Sequence, residues 1–104
     1  MKVTDAIKDY FGKDAIEFLN EAGTESRPLT YRNAMIRSLG NMDKDESYEV
    51  KRRAHRLCDT IADNEEPKFM AEDIVEIKKR VNKTYPSPLV VCRIADFLEP
   101  PELK

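Results

Sequence analysis

Leu89-Val90-Val91-Cys92-Arg93-Ile94-Ala95-Asp96-Phe97-Leu98 is the most apolar stretch of the chain, interrupted only by Arg93 and Asp96. It follows Tyr85-Pro86-Ser87-Pro88, in which Ser87 reads as an N-cap and Pro88 as the first helical residue, and Pro100-Pro101 ends it. Val90-Val91 would also suit a buried strand, but no second long apolar run is there to pair with it. A helix that is apolar almost all round belongs in a core. The segment is therefore expected to be the central helix, so an aspartate at Val91 or Ile94 is expected to unfold the domain. Arg93 and Asp96, at i,i+3, read as its ion-paired solvent edge.

Upstream, Phe69 and Ile74 form a hydrophobic staple around a helix start, and Met70, Ile74, Ile77 and Val81 make one stripe. Glu72, Asp73 and Glu76 lead this helix while Lys78, Lys79, Arg80 and Lys83 close it, an order that complements the helix dipole, with Glu76 and Arg80 as an i,i+4 pair. Further back, Ser47 caps a helix with apolar residues at Val50, Ala54, Leu57, Cys58 and Ile61, the clearest amphipathic pattern in the sequence. Thr30 caps another that carries Tyr31, Met35, Ile36 and Leu39 and stops at Gly40.

Residues 3–22 admit two readings. Val3, Ile7, Phe11, Ala15, Leu19 and Ala22 have helical spacing, with Gly23 just past the end, and Asp14 with Glu17 would cap a second helix after Gly12. Alternatively, Tyr10-Phe11-Gly12-Lys13 is the turn of a short β-hairpin. Spacing favours the helix. The expected fold is mainly α: a single domain over residues 1–104, a compact bundle of four to five helices around the apolar C-terminal helix, with the N-terminal segment as helix or hairpin.

Composition sets the functional bounds. The 104 residues are 40% hydrophobic and 37% charged, with a formal net charge of -2, so the chain lacks the strong positive field that drives binding to a phosphate backbone. No stretch approaches the roughly 20 apolar residues of a membrane span, and the first residues do not resemble a secretory leader, which leads us to expect a cytoplasmic protein. Cys58 and Cys92 fall at apolar helical positions and read as reduced core residues.

Catalytic patterns are sparse. His55 and Cys58, at i,i+3, offer two metal ligands but no others join them, and as a nucleophile and base they project in parallel from one helix face. The glycines at 12, 23 and 40 are scattered and no phosphate loop follows them. No cofactor, metal or catalytic residue is expected, and the chain reads as a non-enzyme. The candidate interaction surface consists of Arg52, Arg53 and Arg56 with Lys78, Lys79 and Arg80. Arg52 and Arg56 fall opposite the apolar stripe and face solvent, where Glu49, Asp59 and Asp63 alternate with them. That alternation disfavours nucleic acid. The connection between Gly40 and Ser47 is also too long for a helix-turn-helix.

The runs Pro28-Leu29-Thr30-Tyr31-Arg32-Asn33-Ala34, Ala71-Glu72-Asp73-Ile74-Val75-Glu76-Ile77-Lys78-Lys79 and Tyr85-Pro86-Ser87-Pro88-Leu89-Val90-Val91, with Tyr48, Ala54, Ile61 and Phe97-Leu98-Glu99, resemble small proteins of tailed bacteriophages and prophages. The likeness covers about the last three quarters of the chain. It departs at Met70, where a Ser or Thr would cap the helix. The resemblance implies a short hairpin before the Pro-Leu-Thr run, no catalytic residues, and the cytoplasm of an infected or lysogenic bacterium as the setting. The expected function is that of an accessory protein that binds another protein, such as a host enzyme or defence component. A nucleic-acid-binding regulator and a virion assembly factor are the alternatives.

Overall fold

Thr30 ends an extended segment and starts the first helix, its Oγ1 accepting the Asn33 N–H at 3.1 Å and so occupying one of the donors that a helix start leaves open. Helix α1, Tyr31–Leu39, buries Tyr31, Ala34, Met35, Ser38 and Leu39, the spacing of a single face. Ser38 is fully buried, and its Oγ donates to the Ala34 carbonyl at 2.8 Å, which satisfies it within its own helix. The computed structural model describes residues 1–100, and in it α1 is the central helix. Helices α2, Tyr48–Asp63, and α3, Ala71–Thr84, both pack on it. Helix α4, Pro88–Leu98, packs on α3.

The protein is thus mainly α, with four helices making up about half of the described residues. A fifth helix is not found among the described residues, and the apolar segment is a flank rather than the centre. Only Val90 and Ile94 of α4 are buried; Leu89, Val91, Phe97 and Leu98 are half-buried and Cys92 is exposed. The physical reason is topological: α1 is short and already covered by α2 and α3, so α4 lies mainly against α3 and reaches α1 through the stacking of Phe97 on Tyr31. Cys92 is therefore no core residue, whereas Cys58 is half-buried, and burial pushes its thiol pKa up. The expected stop at Pro100-Pro101 is half observable, since Pro101 lies outside the described residues.

The caps follow the sequence closely. Ser47 accepts the Val50 N–H at 3.2 Å; Ser87 stands at the N-cap position of α4 but its side chain makes no cap hydrogen bond, and Pro88 occupies the first turn. Met70 offers no cap oxygen, and Asp73 compensates in part by accepting the Met70 N–H at 3.3 Å. The end of α2 has no basic residue of its own in its last turn, and Arg32 of α1 supplies one, donating to the carbonyls of Ile61 at 2.9 Å and Asn64 at 3.2 Å.

The helical reading of residues 3–22 fails. Asp9 accepts the N–H groups of both Phe11 and Lys13, at 2.8 and 2.9 Å, and Gly12 follows at φ +79. Asn20 accepts those of Thr24 and Glu25, at 3.1 and 3.4 Å, and Gly23 lies at φ +69. Each side chain thus holds a turn that competes with helix, and each glycine adopts a conformation that other residues resist. Between the turns, β1, Ile16–Phe18, pairs antiparallel with β2, Ser26–Pro28, with Glu17 opposite Arg27. The turn at Gly12 is present as the hairpin reading had it, but it is closed by a single bridge between Lys8 and Asp14, and the two-stranded ladder lies beyond it. The preceding segment is drawn inward, with Val3 and Ile7 fully buried and the Ile7 N–H bonded to the Leu29 carbonyl at 2.8 Å.

Candidate functional site

Of the six basic residues singled out by sequence, five are exposed and Arg80 is buried. Arg52, Arg53 and Arg56 are exposed on α2, and Arg53 and Arg56 border a groove of about 220 Å³ whose opposite wall carries Glu72 and Asp73. That groove includes neither Lys78 nor Lys79. Lys78 pairs with Glu99 at 3.0 Å, and Lys79 is exposed. Arg80 is a correction: it is 1% exposed, with Nε 2.9 Å from Glu76 and Nη1 2.9 Å from Glu46. The i,i+4 pair with Glu76 is as expected, but Glu46 from the α1–α2 loop completes it and takes the guanidinium out of the surface.

The His55 and Cys58 pair does not become a site. His55 is exposed and its Nε2 lies 3.4 Å from Asp59. Among the described residues no three His, Cys, Asp or Glu side chains gather in a way that would hold a metal ion. Nor do Arg93 and Asp96 pair. Arg93 instead donates to the carbonyls of Lys8 at 3.1 Å and Asp9 at 3.4 Å and lies over the Tyr10 ring at 5.8 Å, clamping the N-terminal turn onto α4.

Beside that clamp, a groove of about 690 Å³ opens between the start of α1, the start of α3 and the end of α4. Its floor includes Tyr31 and Phe97, stacked with centroids 4.6 Å apart, together with the staple residues Phe69 and Ile74. The size is that of a small-molecule site, but such sites also need convergent polar groups. Arg93 is committed to the N-terminal turn, and burial only pushes the Tyr31 phenol pKa up. Glu66, Lys68 and Asp96 also line the groove, and all three are exposed to solvent.

The N-terminal hairpin has a different character. Among the described residues nine large apolar side chains are exposed, and five of them, Tyr10, Phe11, Ile16, Phe18 and Leu19, lie within ten residues of one another. Phe11 is 87% exposed at the turn tip, and Ile16 and Phe18 point outward from β1. Between them Glu17 points inward and is 5% exposed. Its Oε1 takes Arg37 of α1 at 2.6 Å and Arg27 of β2 at 3.4 Å, while Oε2, with Arg27 Nε 3.3 Å away, has no hydrogen bond among the described residues. Tyr85 Oη is likewise buried without one; burial pushes its pKa up against the opposing charge of Arg37. The strand is thus inverted in polarity, with its charge buried and its apolar residues exposed.

Helical spacing assigned Phe11 and Leu19 to a core and so hid this surface. The alternation Ile16-Glu17-Phe18 was the available signal, but three residues are too few to establish a period of two. No helix among the described residues is long and apolar enough to cross a membrane. No protein-family model, curated protein or solved structure matches the chain.

Proposed function

We propose that this chain is a non-catalytic, phage-type accessory protein that acts by binding another protein, in the cytoplasm of an infected or lysogenic bacterium, and that the outward face of its N-terminal hairpin is the binding surface. The observation that carries this reading is the exposure of Tyr10 and Phe11 at the Gly12 turn and of Ile16, Phe18 and Leu19 on and just after β1, five apolar side chains within ten residues of sequence. Exposed apolar clusters of this kind mark interaction sites, and aromatic residues dominate the energetics of such interfaces. The surrounding helices hold the hairpin rigid: Arg93 fixes the Gly12 turn from α4, and Arg37 fixes β1 from α1.

The test compares the parent with Phe11→Ser/Phe18→Ser, both immobilised as full chains and offered bacterial lysate. Both side chains are exposed, so the variant should keep its helical circular dichroism. Stoichiometric capture of a defined protein by the parent and its loss in the variant are expected; capture that survives the substitutions, or none at all, would refute the reading. Arg52, Arg53 and Arg56 support a second reading, a nucleic-acid-binding regulator. Salt-sensitive retention of duplex DNA on filters, abolished by Arg52→Glu/Arg56→Glu, would favour it instead.

A further inference from the structure

The hydrogen-bond phase of the hairpin decides which backbone groups of β1 remain available. The Leu19 N–H bonds to the Glu25 carbonyl at 2.9 Å, and the Ala15 carbonyl accepts the Leu29 N–H at 2.8 Å. In an antiparallel ladder residues alternate between facing the partner and facing away, so Ala15, Glu17 and Leu19 turn their polar groups to the β2 side, and Ile16 and Phe18 turn theirs to the other edge. Pro28, which has no N–H to give, stands opposite Ile16 in this register. The inserted segment at Ile7 does not cover that edge, because it bonds to both Leu29 and Ala15 and so lies between the diverging strands.

We propose that the outer edge of β1 receives an extended segment of a partner protein as a third strand, with apolar residues opposite Ile16 and Phe18 and a neutral polar side chain beside Glu17. This rests on the protein-binding reading above and specifies its mode. Strand addition draws affinity from main-chain bonds and specificity from alternate side chains. Here the edge offers two residues with free N–H and C=O groups, and the partner's outward side chains would extend the apolar face of Ile16 and Phe18. Many edge strands are guarded by a lysine, a proline or an inward charge that repels pairing. β1 contains neither lysine nor proline, and its inward charge is already held by Arg27 and Arg37.

The buried carboxylate chooses the occupant. A second copy of this chain, paired isologously in the register that uses both free residues, Ile16 opposite Phe18, would set Glu17 directly against its own counterpart, and like charges opposite one another destabilise a ladder. An acidic residue in a foreign strand meets the same repulsion. A neutral Thr, Ser or Asn side chain beside the buried carboxylate avoids that repulsion, while Arg27 and Arg37 go on holding its charge.

The test uses the full-length, nitrogen-15-labelled protein and a synthetic probe, acetyl-Lys-Thr-Val-Thr-Val-Thr-Lys-amide, whose central threonine would face Glu17. Amide exchange of Ile16 and Phe18 is expected to slow about tenfold or more with the probe, while Glu17, already bonded toward β2, changes little. A probe with glutamate at the central position should bind about tenfold more weakly. Unchanged exchange at Ile16 and Phe18 in millimolar probe would overturn strand addition. Slowing that needs no probe and grows with protein concentration would overturn the foreign partner in favour of self-pairing. Ile16→Pro removes a free N–H without removing a ladder bond; it should abolish protection at Phe18, and Phe18→Lys gives an independent variant if the proline disturbs the fold. Lysate capture that depends on Phe11 and Phe18 while these amides stay unprotected would leave the binding reading standing and remove this one.

Discussion

Arg80 is held between Glu46 and Glu76 with almost no access to water, and its charge therefore serves the fold rather than a partner. Removing it leaves two carboxylates facing one another, so Arg80→Ala should lower the unfolding free energy by about 3 kcal/mol in urea titrations. The Arg80 hydrogen bond holds the Glu46 carboxyl below the usual carboxylate range, and Lys83 does the same for Asp43. A depressed folded pKa gives stability that is present above the unfolded value, about 4.3 for glutamate, and is lost as pH falls through the folded one. Urea midpoints should thus decline as pH drops below about 4.5, and Glu46→Gln should flatten that decline; equal slopes would count against the pair. Gly12 is a simpler case. A Cβ there meets nothing within 4 Å, so Gly12→Ala should cost only the backbone term, about 1 kcal/mol. Asp9 with Gly12 and Asn20 with Gly23 share one spacing, a side-chain acceptor three residues before a glycine, and this was present in the sequence as a turn signal. Apolar spacing outweighed it because Val3 and Ile7, both buried, also satisfy i,i+4 in an extended chain that bends.

The helices were legible because their ends are chemically marked. Thr30, Ser47 and Pro88 each stand where an N-terminus was expected, and the α2 stripe buries Ala54, Leu57 and Ile61 as its period requires. What hydropathy did not carry was rank. The most apolar helix is not the most enclosed one, because enclosure depends on how many neighbours an element has, and α1 with its modest apolar content lies between two. Two apolar positions of α4 should therefore separate: Ile94→Asp, at a fully buried site, should cost more than about 3 kcal/mol, and Val91→Asp, half-buried, about 1 kcal/mol, by thermal or urea unfolding. Similar losses in both would restore α4 to the centre. Arg32 reaches from α1 to the open carbonyls of α2, a contact between elements that no local pattern announces.

Taken together, four helices form a base that presents a small β unit, and the two are joined by ion pairs and main-chain bonds through Arg37 and Arg93. The candidate surface was the least legible feature. Charge runs drew notice to α2 and α3, yet Arg80 is buried and Lys78 is paired, whereas the exposed apolar residues of the hairpin had the spacing of a core. A photo-reactive amino acid placed at position 18, and in parallel at position 52, in the full chain expressed in bacteria distinguishes the two surfaces directly. Crosslinking from position 18 to one discrete protein, with none from position 52, is expected. Crosslinks to nucleic acid or protein from position 52 alone would contradict the hairpin as the binding surface.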